Sequence, residues 1–264
     1  MTDARRLTIQ VHVDNHWLDA GDIAFRSPGN GLRSQMGFYY RPEYVAEVAG
    51  DVCLSEACFT DHRAVTVNAP ASLTAHYDET VIAPFLRDII PQGFARQVLT
   101  KRMGNSRVRG AGQDFALLRR FCVSPIGNVR VKEAADRFSE TLDNQSVQSL
   151  SVDDLLRSPT GLFDVINSTP ADILAGALGA GGEAPKLLMV EDEAGELYLE
   201  GALSPAHVRK HWLVKFPRAR MTENDRNILR SEGVFYEALA KCGMNTLHGT
   251  KLLGKRPAIT PCQV

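Results

Sequence analysis

No stretch of the chain approaches 18 uninterrupted apolar residues, so no membrane-spanning helix is expected. The N-terminus, MTDARRLTIQVHVD, alternates apolar and polar residues after its basic pair and lacks the apolar core of an export signal. Cysteine is scarce and odd in number: Cys53, Cys58, Cys122, Cys242 and Cys262, with no CxxC pair. That argues against both a disulfide framework and a zinc site. With no export signal, the thiols are expected to be reduced packing residues of a cytoplasmic protein. The seven histidines are scattered, without HExxH or comparable ligand spacing. Nor is there an excess of one charge: 30 basic against 31 acidic residues give a net charge of −1 and a pI near 6.7. The sum makes no case for a nucleic-acid or membrane partner.

What remains is a 264-residue, 29.0 kDa chain with 44% hydrophobic and 23% charged residues, the composition of a soluble globular protein of one large or two small domains. Its charge is unevenly spread. Residues 87–137 hold 11 basic and 4 acidic side chains, and residues 138–200 hold 2 basic and 12 acidic. Either two surfaces have different roles or both are ordinary solvated faces. The period of two in residues 7–13 predicts a half-buried strand, followed by a turn at 14–16 and strands at 17–25 and 36–40. Residues 80–103 read as two helices broken at Pro91-Gln92-Gly93, and 113–121 as another helix before a strand at 129–131. The expected fold class is α+β: an N-terminal antiparallel sheet with helices over 1–136, a linker over 137–170 with a short acidic helix at 152–157, and a second antiparallel sheet with one helix over 171–254. Residues 255–264 form an atypical tail.

The sharpest local signal is GALGAGGEAPKLLMV, residues 176–190, with four glycines in its first seven positions. Backbone amides unshielded by side chains can curl around an anion. The segment is neither a P-loop, since Gly182 is followed by Glu183, nor a dinucleotide fingerprint. The other reading is a flexible turn between strands, with no ligand. A hairpin follows, over 186–190 and 196–199, and then the strand HWLVKFP. Alternation puts Trp212, Val214 and Phe216 on one face and Lys215 on the other, either fixed near the glycines or simply facing solvent. Thr222 with Asp225 predicts a capped helix, and Gly243 its end. Ile228, Phe235, Leu239 and Cys242 form its expected core stripe, on which Glu232 also falls. A carboxylate there needs a partner, and Lys215 is the natural one, unless Glu232 reaches to water. Glycine loop, strand lysine and helix glutamate are the parts of a kinase nucleotide-binding half.

Along most of its length the chain resembles the HipA-like serine/threonine kinases, toxins of bacterial toxin–antitoxin pairs. FLRDIIPQGFARQVLTKRM and DFALLRRFCVSPIGNVRV are similar to the family's LLPEGxxR helix pair and the element after it. MGFYYRPEYV resembles its N-terminal region, and GAGGEAPK its glycine-rich loop in the branch that reads GGExPK. HWLVKFP resembles its HIIKLP-type strand, and SEGVFYEALAKCGMNT its NEYxxxxLAKxxGL helix. The resemblance implies ATP with Mg²⁺ as cofactor. It implies that Gly179, Gly181, Gly182 and Lys186 contact or cover phosphates, and that Lys215 pairs with them while held by Glu232. It further implies a HipB-like DNA-binding antitoxin as partner and a protein substrate such as an aminoacyl-tRNA synthetase. No direct DNA or membrane contact is expected. Where several family members carry an autophosphorylated serine, this chain has Gly179, which puts that form of self-regulation in question.

One departure stands out. A kinase needs a carboxylate to orient the substrate hydroxyl and an Asp/Asn set for the metal. The only aspartate after Lys215 is Asp225. The expectation is therefore a truncated, catalytically incomplete HipA-like protein without a catalytic aspartate, whose last residues come from a shifted reading frame. The alternative is a non-catalytic fragment that binds an antitoxin or complements a separate C-terminal kinase lobe.

Overall fold

A computed structural model describes residues 5–49, 62–104, 110–145, 148–151, 161–218, 222–245 and 260–263. The chain is mixed α+β and divides into two compact units. The first comprises Met1–Pro91 and Leu99–Ser139, and the second Gln92–Val98 and Glu140–Val264.

The first unit is built on a five-stranded antiparallel sheet. Strands β1 (Arg6–Val13) and β2 (His16–Phe25) form a hairpin, turned by Asp14 and Asn15 at positive φ, as a two-residue turn between right-twisted strands requires. Strands β3 (Met36–Tyr40) and β4 (Tyr77–Asp78) extend the sheet beyond β2, and β5 (Val129–Val131) flanks β1, giving the order β4-β3-β2-β1-β5. Helix α1 (Pro42–Ala49) follows β3. In β1 Leu7, Ile9 and Val11 are fully buried, and Thr8 and Gln10 on the other face are buried too, so the strand expected to be half-buried is covered on both faces. Helix α2 (Glu79–Ile89) buries Ile82, Phe85 and Leu86, and starts at Asp78, whose carboxylate accepts the Thr80 amide. Helix α3 (Gly93–Arg102) follows the break at Pro91-Gln92-Gly93, and helix α4 (Gly112–Phe121) buries Phe115, Leu117, Leu118 and Phe121. Cys122 is a buried packing residue whose thiol donates to the Ile89 carbonyl at 2.9 Å. Cys53 and Cys58 lie outside the described residues, whereas Cys242 is exposed rather than a core packing residue.

Two boundaries differ from the sequence expectation. Helix α5 (Lys132–Asp143) runs into the stretch read as linker, and helix α6 (Gly161–Ser168) lies inside it. The short acidic helix expected at 152–157 lies outside the described residues. Residues Gln92–Val98, read as part of the first unit, belong to the second, because the Phe94 amide donates to the Gly182 carbonyl at 3.1 Å.

In the second unit, α7 (Ala171–Ala177) leads through the glycines to a four-stranded antiparallel sheet. Its strands are β6 (Lys186–Glu191), β7 (Leu197–Leu199), β8 (Lys210–Lys215) and β9 (Thr260–Gln263), in the order β7-β6-β8-β9. The end of the expected atypical tail is thus an edge strand, while 255–259 lie outside the described residues. Leu187 faces Val214 and Met189 faces Trp212, so these four nearly fully buried side chains share one sheet face. Glu191, also buried, accepts from the Trp212 indole at 2.8 Å. Helix α8 (Glu223–Lys241) completes the unit.

Candidate functional site

Antiparallel register places Lys186 of β6 directly opposite Lys215 of β8, on the face away from Trp212 and Val214. Two ammonium groups on neighbouring strands repel unless something negative sits between them. Helix α8 supplies it. The Lys215 ammonium donates to the Glu232 carboxylate in a close ion pair, with side chains 21% and 38% exposed. Lys186 feels the crowding: its ammonium is pulled below the ordinary lysine range, chiefly by desolvation and then by the charge of Lys215, with Glu232 opposing.

The glycine turn closes over Lys186. The Lys186 ammonium donates to the Gly181 carbonyl at 2.6 Å. Gly182 has φ +111°, a conformation that favours glycine, and a Cβ there would come within 2.6 Å of the Lys186 nitrogen. The Gly182 carbonyl is taken by the Phe94 amide. In contrast, no amide of residues 179–184 donates to a partner among the described residues. Two of the turn's carbonyls, those of Gly181 and Gly182, are thus taken, and its amides have no partner among the described residues. A glycine turn with unengaged amides near two lysines is backbone that can take an anion.

Of the six residues singled out by sequence, Gly181, Gly182, Lys186, Lys215 and Glu232 come together. Gly179 opens the turn behind Leu178 and bonds to neither lysine. Sequence reasoning missed Gly93 and Phe94; the Pro91-Gln92-Gly93 break was legible, but only as a helix interruption.

The orientation of α8 corrects the sequence expectation. Ile228, Phe235 and Leu239, the predicted core stripe, are 45%, 67% and 37% exposed, and Cys242 is exposed as well. The residue of α8 that is buried is Leu229, with Glu232, Gly233, Tyr236 and Ala240 half-buried around it. At about 100° per residue, the predicted stripe lies roughly a quarter turn from the covered side. Glu232 lies between the two faces, so its pairing with Lys215 is compatible with the covered side that holds Leu229 and Tyr236.

A cavity of about 230 Å³, lined by Gln148, Leu150, Ser168, Pro170 and Leu199 among others, contains none of these residues and has no charged lining to match a phosphate. Among the described residues no three His, Cys, Asp or Glu side chains converge as a metal ion would need, and none of the helices is long and apolar enough to cross a membrane. No family model, curated protein or solved structure matches the chain.

Proposed function

We propose that the second unit is the nucleotide-binding part of a HipA-like serine/threonine kinase, acting in the cytoplasm as the toxin side of a toxin–antitoxin pair. The observation that carries the reading is the Lys215–Glu232 pair opposite Lys186, near a glycine turn whose amides have no partner among the described residues. Two ammonium groups and free amides suit a polyphosphate, so Lys215, Lys186, Gly181 and Gly182 would hold the phosphates of ATP, and Glu232 would hold Lys215 in position. Mg²⁺, when bound with ATP, would neutralise phosphate charge. Preorganised cations and amides bind a phosphoryl group as its charge spreads, without reorganisation. The test is titration of the full chain with ATP: a Lys215→Ala variant loses the binding, and equal affinity of both proteins would overturn the reading.

A second reading, favoured by two observations, is that this chain binds nucleotide without transferring phosphate. The one aspartate after Lys215, Asp225, has its carboxylate engaged by Thr222 in a capping box. The uncovered apolar stripe of α8 also offers a surface on which a separate C-terminal kinase lobe could sit. Phosphate transfer to a protein substrate by this chain alone would contradict it.

A further inference from the structure

We infer that Gly93 and the Phe94 amide, at the N-terminal end of α3, are positioning residues for the anion cradle; the inference rests on the reading of that site given above. A glycine-rich turn is floppy by nature, because each glycine can take φ of either sign. Left to itself, such a turn presents carbonyls as often as amides, and a carbonyl repels phosphate. Here two carbonyls are withdrawn by separate donors. Lys186 takes that of Gly181 at 2.6 Å, and the Phe94 amide takes that of Gly182 at 3.1 Å. The first donor is itself a candidate phosphate ligand, so an arriving anion competes for it. The second is a backbone amide in the first turn of a helix, where amides have no intrahelical acceptor. It stays on the carbonyl whether or not the site is filled, and so holds the Gly182 peptide in one orientation with its carbonyl withdrawn.

This contact requires glycine at position 93 for two independent reasons. Its φ is +52°, and a Cβ there would lie 2.3 Å from the Gly182 oxygen, a backbone atom that cannot swing aside. Gly104 separates the two effects. Its φ is +72°, yet nothing lies within 4 Å of where its Cβ would be. Alanine at 104 therefore imposes the backbone strain without the collision.

The experiment compares wild type, Gly93→Ala and Gly104→Ala by amide hydrogen exchange and by affinity for ATP and adenosine, all on the full chain. In wild type the Phe94 amide is protected. Gly93→Ala abolishes that protection and lowers ATP affinity about tenfold, the loss of about one hydrogen bond's worth of cradle, while adenosine affinity stays unchanged. Gly104→Ala leaves all three unchanged. Unaltered Phe94 exchange and ATP affinity in Gly93→Ala would overturn the inference. Should Gly93→Ala fail to fold, wild type decides: a Phe94 amide exchanging at the free-chain rate overturns it, and a protected one supports it. Failure of wild type to bind ATP would sink the nucleotide reading instead, while the exchange data still judge the Phe94 contact.

Discussion

Glu133 shows how one side chain ties pH to stability in this protein. Its two oxygens both accept the Thr8 amide at 3.1 Å, and it caps the edge of β1 where β5 does not reach. Desolvation dominates over those bonds and raises its pKa above the ordinary carboxylate value. The folded state therefore holds this proton more tightly than the unfolded chain. Stability falls as pH rises through the carboxylate range, because ionised Glu133 is tolerated less well folded than unfolded. Glu133→Gln keeps an acceptor and removes the charge, so it should be more stabilising at pH 7 than at pH 4 in urea titrations. The reverse order would contradict the account. At this scale the pairing of Lys215 with Glu232 was legible, because strand alternation and helix spacing both act locally. The Phe94–Gly182 contact was not, since no periodicity links residues so far apart in sequence.

Helix α8 is set by its ends more firmly than by its apolar stripe. The Thr222 hydroxyl accepts the Asp225 amide at 3.2 Å, and the Asp225 carboxylate accepts the Thr222 amide at 3.0 Å. At the other end Gly243 has φ +73°; its amide donates to Ala240 and that of Met244 to Leu239. Both signals were readable because capping is a matter of a few adjacent residues. Thr222→Ala should cost about 1 kcal/mol in chemical denaturation, and no measurable loss would show that the cap is dispensable. The rotation of the helix was not readable. Its apolar residues mark two faces, one around Leu229 and one through Ile228, Phe235 and Leu239. Hydrophobic spacing cannot say which one the sheet covers. In the structure the face around Leu229 is the covered one, and Ile228, Phe235 and Leu239 are left exposed.

Across the whole molecule, the α+β class, the two antiparallel sheets and most strand positions followed from periodicity and turn residues. The division of the chain did not, because a seven-residue segment, Gln92–Val98, joins the second unit through contacts that a linear scan cannot detect. The open stripe of α8 has a consequence at this scale. Contiguous exposed apolar side chains favour association in water. Concentrated protein should therefore self-associate, and Phe235→Ser should reduce association in light scattering while changing folding stability by no more than about 0.5 kcal/mol. A wild type that stays monomeric at high concentration would contradict this. The central claim, that the lysine pair under the glycine turn binds nucleotide, is tested most directly by calorimetric titration of the full chain with ATP and Mg²⁺ in two alkaline buffers of different ionisation heat. An arriving polyphosphate should raise the depressed pKa of Lys186, so protons are taken up on binding and the apparent enthalpy shifts with the buffer. The account predicts one saturable site per chain with proton uptake, lost in Lys215→Ala; absence of binding heat in both buffers, or binding indifferent to Lys215, would contradict it.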